Sequence, residues 1–93
     1  MNPLIMEIPI KIIRAQELVI GTLAWDEAKK VTGLNLDQIN KSVSINGNTY
    51  DIIDALVGQY GRLFGRASRE VCKEAVQDIL EKLLPQEIPN SLK

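Results

Sequence analysis

The clearest periodic pattern lies near the end of the chain. Between residues 68 and 84, apolar positions recur every three or four residues and charged positions fill the gaps. This spacing predicts an amphipathic helix, which buries one face and exposes the other. Ser68 is a favourable N-cap, and Pro85 marks the end. The predicted buried face consists of Val71, Cys72, Ala75, Val76, Ile79, Leu80, Leu83 and Leu84.

Two further helices are predicted from the same kind of spacing. Residues 51–64 carry a broad apolar stripe that includes Tyr60, Leu63 and Phe64. Residues 22–32 form a shorter helix, in which acidic residues come first and lysines last, as the helix dipole favours. Gly33 follows this helix as a C-cap.

The first twenty residues allow two interpretations. Residues 5–12 alternate between apolar and other side chains, which predicts a half-buried strand, and Pro9 would restrict it to the edge of a sheet. Alternatively, Pro9 stands in the first turn of a helix that runs to Ile20. Of the two we expect the strand, followed by a turn near residues 14–17.

A small hairpin is predicted in the middle of the chain. Asn46-Gly47 is a strong signal for a tight turn because both residues accept positive φ angles, so residues 42–45 and 49–50 are expected to pair. Asn48 can also cap the helix that follows, with Asp51 three residues later.

These elements predict a predominantly helical α+β fold. Two long C-terminal helices pack as an antiparallel pair, beside a third shorter helix, the small hairpin and a possible N-terminal edge strand. Residues 1–85 form one small globular domain. Residues 86–93 are expected to be a flexible tail, because Pro85 and Pro89 prevent the helix from continuing.

Composition narrows the possible chemistry. The 93 residues are 45% apolar, which is enough for a core, and they include one cysteine and no histidine. Histidine-dependent catalysis, intramolecular disulfides and cysteine-rich zinc sites are therefore excluded. We expect no catalytic residues, no metal site and no cofactor.

Charge and hydropathy bear on partners and location. The net charge of −1 disfavours nonspecific binding to nucleic acid by bulk charge. No apolar run is long enough to cross a bilayer, and no signal-peptide pattern is present. We therefore expect a soluble cytoplasmic protein without membrane association.

Two glycines lie within the helix predicted over residues 51–64, and a third follows directly after it. Gly58, Gly61 and Gly65 share one stripe, and each costs about 0.5–1 kcal/mol relative to alanine. Close approach of another helix, from the same chain or a partner, would compensate. The alternatives are a flat surface for a ligand or phosphate, and local bending at Gly65.

Four cations lie close together in the sequence. Arg62, Arg66, Arg69 and Lys73 would share one face if the helix were continuous, and they could hold phosphates, nucleic acid or an acidic partner. The simpler interpretation is a solvated face that pairs with nearby acidic residues. No aromatic side chain interleaves the cluster to stack on bases.

Other candidate residues have simple structural explanations. Asp51 and Asp54 fall in a first helical turn, where acids are favoured without a metal. Cys72 is expected to act as a small buried hydrophobe, although Arg69 and Lys73 could lower the pKa of its thiol. Trp25 lies off the apolar face of its helix, so it either anchors a subunit interface or covers the hairpin.

We expect a small noncatalytic protein-interaction or regulatory module that acts as a homodimer, or binds another protein. The first alternative is a binder of phosphate or nucleic acid through the basic residues. The second is a small-ligand domain with a cavity near Tyr60, Cys72 or the glycines. The candidate interface residues are Trp25, Gly58, Gly61, Gly65, Ile8, Ile10 and Ile12.

Overall fold

The computed structural model describes residues 2–93, so Met1 lies outside it, and it contains five α-helices and one antiparallel hairpin. The predicted class, α+β and predominantly helical, is confirmed. The helices are α1 (Ile8–Ile20), α2 (Leu23–Ala28), α3 (Thr49–Phe64), α4 (Arg66–Ala75) and α5 (Gln77–Leu80), and the strands are β1 (Leu34–Asp37) and β2 (Ser42–Ile45). Short 3₁₀ turns occur at Pro3–Glu7, Pro85–Glu87 and Asn90–Leu92.

The N-terminal segment is helical, so the expected edge strand is wrong. Pro9 lies in the first turn of α1, where a missing N–H leaves no hydrogen bond unmade. Ile5, Ile8 and Ile12 are fully buried. Their spacing of three and four residues suits a helix, although the same stretch also alternates as a strand would. The burial of this stripe against other helices decides between the two periods.

The chain turns sharply between α3 and α4. Asn48 caps α3 by accepting a hydrogen bond from the Asp51 N–H at 3.1 Å, as the sequence predicts. Gly65 ends the helix with φ 80° and ψ −163°, a conformation that is essentially restricted to glycine. The helices on either side of Gly65 then pack against each other.

The long helix predicted over residues 68–84 is interrupted. Val76 has φ −118° and ψ 15°, and its N–H donates to the Lys73 carbonyl, three residues back, where α4 gives way to α5. Val76, Ile79 and Leu80 are nonetheless buried. The apolar spacing survives the break, and for this reason the periodicity does not reveal it.

α4 runs antiparallel to α1. Lys11 near the start of α1 forms an ion pair with Asp78 at 2.9 Å, whereas Gln16, further along α1, contacts Ser68 near the start of α4. The central helical pairings are therefore α1 with α4 and α3 with α4.

The hairpin forms one turn earlier than predicted. Leu34 pairs with Ile45 and Asp37 with Ser42, so the turn lies at residues 38–41. The Asp37 carboxylate accepts a hydrogen bond from the Asn40 N–H, and this stabilises the turn. Asn46 instead donates its N–H to the Gly33 carbonyl at 2.7 Å, at the exit of the sheet.

The last eight residues pack against the helices, although proline content suggests a loose tail. Leu92 is 1% exposed and lies in the core. Asp54 on α3 accepts hydrogen bonds from both the backbone N–H and the hydroxyl of Ser91. Residues 86–93 therefore contact the helices through a buried leucine and a hydrogen-bonded serine, because the prolines end the helix without preventing packing.

Candidate interaction surface

An apolar surface lies where α1 and α3 end and α4 begins. Leu18 is 91% exposed and Val19 is 63% exposed near the end of α1. The sequence assigns Leu63 and Phe64 to the buried stripe of α3, but they are 48% and 38% exposed, because Gly65 turns the chain immediately after them. We define the end surface as Leu18, Val19, Leu63, Phe64, Ala67 and Val71.

A cleft of about 120 Å³ opens within the end surface. Val19 and Ile20 of α1 line one side, and Ala67 and Val71 of α4 line the other. Phe64, Ser68 and Gln16 complete the lining. We call it the Gln16 cleft. Its lining brings apolar side chains of α1, α3 and α4 into one concave region, which includes neither Leu18 nor Leu63.

Gln16 is a buried amide with one unsatisfied atom. The residue is 1% exposed, and its Nε2 donates to the carbonyl and to the hydroxyl of Ser68, both at 2.9 Å. The Ser68 carbonyl can only accept, so the amide cannot be flipped without placing two oxygens together. Oε1 has no hydrogen-bond partner. An unsatisfied buried acceptor costs about 1–3 kcal/mol.

Cys72 lies beside this amide and is fully buried. Burial raises the pKa of the Cys72 thiol, while a hydrogen bond from Gln16 Nε2 at 3.3 Å opposes the shift. The protonated thiol is thus favoured, and it is closed to solvent. This environment matches the interpretation as a small hydrophobe better than that as a nucleophile.

Several candidate interface residues are packed inside the chain. Ile8, Ile12 and Trp25 have no exposed surface, and Ile10 is half-buried against the core. Trp25 donates from Nε1 to Glu17 at 2.8 Å, and Lys41 of the hairpin turn lies 5.0 Å from its ring centre. Trp25 therefore contacts α1 and the hairpin turn, and it has no side-chain area left for a partner.

The three glycines have different surroundings. A methyl group on Gly61 would come within 2.9 Å of Arg69 Cγ, so the side chain of α4 lies directly on this glycine. No atom lies within 4 Å of the equivalent position on Gly58. Gly65 forms the corner between helices. The close approach is made by one arginine of the same chain, rather than by a whole helix along the stripe.

The four cations do not form one helix face. Gly65 separates Arg62 from the three cations on α4, and Arg62 instead donates to Gln59 at 2.8 Å. Arg69 packs over Gly61. Arg66, Arg69 and Lys73 keep their spacing of three and four residues on α4, while Gly65 places Arg62 on a different helix.

The sequence also suggested sites near Tyr60 and near two aspartates. Tyr60 is buried, and its hydroxyl donates to the Ala24 carbonyl at 2.6 Å, so it lines no open cavity. Asp54 holds Ser91, and residues 2–93 contain no cluster of three or more metal-ligating side chains.

None of the helices described is both long and apolar enough to span a membrane.

Gln16 and the end surface are the functional candidates that the sequence did not reveal. Gln16 continues the buried stripe of α1 four residues after Ile12, a signal that becomes visible only if the segment is taken as a helix.

Comparison with protein-family models, curated proteins and solved structures finds no match to this chain.

Proposed function

We propose that this chain is a small noncatalytic interaction module that acts as a homodimer through the end surface. The observation that carries the proposal is the exposure of Val19 and Phe64 on the mainly apolar Gln16 cleft, together with the 91% exposure of Leu18, the residue before Val19 on α1. Contiguous apolar surface rimmed by polar residues is typical of protein contact sites. In a two-fold dimer the same surface is used by both copies, so one patch is sufficient.

Charges beside the end surface are self-complementary. Arg66 and Glu70 are both exposed on α4, and each precedes an apolar residue of the surface, Ala67 or Val71. If the α4 helices of two copies pair antiparallel, Arg66 of one copy faces Glu70 of the other, twice in each dimer. Complementary rim charges fix the register of such a contact.

The nucleic-acid alternative has less support. It needs several cations on one accessible face, whereas Arg62 is held by Gln59 and Arg69 lies on Gly61. Binding to a phosphate backbone depends on the number of cations that reach it together.

Sedimentation velocity on the wild type and on Leu18→Glu tests the dimer. We expect the wild type to be dimeric at high micromolar concentration and Leu18→Glu to be monomeric, because the variant buries a charge in the contact. Leu18 is 91% exposed within the chain, so the substitution leaves the fold intact. Leu84→Glu is the matched control, because Leu84 is exposed and follows α5, away from the end surface. This variant should remain dimeric. A monomeric wild type contradicts the proposal.

Mixing two charge variants tests the geometry. Arg66→Glu and Glu70→Arg should each weaken self-association, because like charges then meet across the two-fold axis. An equimolar mixture should recover the dimer, since each pair of facing charges is again opposite. If a variant weakened association by disturbing its own fold, mixing it with the other variant would not restore the dimer. Failure of the mixture to dimerise therefore contradicts this arrangement.

A further inference from the structure

The Gln16 cleft has the dimensions of a site for a small molecule. Its volume is about 120 Å³, and apolar cavities of about 150 Å³ are known to bind benzene. None of its lining residues is charged. An ion entering the cleft would lose its hydration without gaining a partner, so the cleft favours an uncharged, mainly apolar occupant.

Gln16 adds a specific chemical requirement. Nε2 donates to Ser68 and Cys72, which leaves Oε1 as the unpaired polar atom of a residue that lines the cleft. Oε1 is an acceptor only. An occupant that satisfies it must therefore carry a hydrogen-bond donor.

We propose that the Gln16 cleft binds a small uncharged molecule that combines an apolar body with one hydroxyl or N–H donor, and that the donor bonds to Gln16 Oε1. Oε1 has no solvent-exposed surface of its own. The outer wall, however, consists of Val19 and Phe64, which are 63% and 38% exposed. For the molecule to reach Oε1, these two side chains must turn outward.

Phenol and toluene are matched probes for this requirement, because they have similar size and phenol carries a hydroxyl group where toluene carries a methyl group. Backbone amide shifts in NMR titrations report binding at Val19, Ala67 and Val71. We expect phenol to bind about tenfold more tightly than toluene, the effect of one hydrogen bond in a dry site. Equal affinities, or shifts that avoid the cleft, overturn the proposal.

Amino-acid substitutions test whether the two probes bind in the Gln16 cleft or elsewhere on the protein. Gln16→Met removes the acceptor and should abolish the preference for phenol. Because this substitution also removes the bonds to Ser68, a second pair is needed. Ala67→Leu should fill the cleft and prevent binding of both probes, whereas Ala55→Leu, at an exposed helical alanine outside the cleft, should not. Unchanged binding in Ala67→Leu contradicts the proposal.

The titration is repeated on Leu18→Glu to keep this proposal distinct from the dimer. Leu18 does not line the Gln16 cleft. Phenol should therefore bind Leu18→Glu with unchanged preference over toluene, whether or not the wild type dimerises. Loss of the phenol preference in both proteins overturns the ligand site and leaves the dimer test unaffected.

Discussion

At the scale of single residues, Gln16 supplies a buried polar group to the cleft in the end surface. It occupies a position on α1 where an apolar side chain would complete the buried stripe. Its Nε2 ties α1 to Ser68 and Cys72 on α4, while Oε1 is left without a partner. One polar residue thus joins two helices and leaves an unpaired acceptor at a mainly apolar cleft.

The thiol of Cys72 should react slowly in the folded protein. It has no exposed surface, and burial raises its pKa, so both access and thiolate content are low at neutral pH. With a disulfide-exchange reagent, we expect slow labelling under native conditions and rapid labelling in denaturant. The variant Ser44→Cys adds an exposed thiol on β2 as an internal control, which should react at the rate of the unfolded chain. Equal rates for both thiols would contradict the described burial.

The sequence predicted some of these residue-scale features. The position of Cys72 on an apolar face and the cap at Asn48 both follow from local spacing, and the structure confirms them. The unpaired Oε1 of Gln16 depends on Ser68, which lies 52 residues away in the chain. Local patterns carry no information about such a contact.

At the scale of elements, Gly65 fixes the direction of α4 relative to α3. Its φ of 80° and ψ of −163° turn the chain within one residue, and the end surface exists because the turn leaves Leu63 and Phe64 outside the core. The same turn separates Arg62 from the cations of α4. A single backbone conformation thus exposes an apolar surface and places Arg62 on a different helix from the other three cations.

Alanine substitutions at two glycines of this region should have opposite effects. Gly65→Ala should destabilise the fold by about 1–3 kcal/mol, because the combination of φ 80° and ψ −163° is essentially restricted to glycine. Gly58→Ala should stabilise it by about 0.5–1 kcal/mol, since Gly58 is inside α3 and an added methyl meets no atom within 4 Å. Denaturant unfolding of both variants measures the difference. A Gly65→Ala variant as stable as the wild type would show that the turn is not required.

Helices with a strong apolar period were predictable, whereas the break at Val76 and the elements decided by tertiary contacts were not. The spacing of α3 gave its extent closely, because one face of a long helix is buried. α1 fits both periods over its first turns, and only packing selects the helix. The Asn46-Gly47 signal favours a turn, but the Asn46 N–H instead bonds to the Gly33 carbonyl. As a result, β2 pairs with β1, which precedes it in the chain, and not with the residues that follow Gly47.

At the scale of the whole molecule, carboxylates tie together elements that are distant in the sequence. Glu17 on α1 accepts from Lys41 of the hairpin turn, Glu27 on α2 accepts from Gln59 on α3, and Asp78 on α5 pairs with Lys11 on α1. The hydrogen bonds from Lys41, Gln59 and Lys11 are the main reason that the pKa of each respective carboxyl lies below its usual value. The folded state thus prefers these groups ionised.

This preference makes the fold sensitive to acid. A carboxyl whose folded pKa is lowered contributes its stability above the unfolded pKa, and that stability is lost as the pH falls through the folded value. For Glu27 the loss begins near the ordinary glutamate value of 4.5 and continues below it. We therefore expect the free energy of unfolding to be constant near neutral pH and to decline in acid, as measured by urea unfolding over that range.

The variant Glu27→Gln identifies the contribution of one tether to this decline. It should be less stable than the wild type at neutral pH, because the ionised acceptor for Gln59 and Lys30 is gone. Its stability should also depend less on pH in acid, because one lowered carboxyl no longer titrates. Glu74→Gln, at an exposed position of α4, is the matched control and should follow the wild-type curve. If Glu27→Gln declines in acid as steeply as the control, the link between α2 and α3 does not depend on the charge of Glu27.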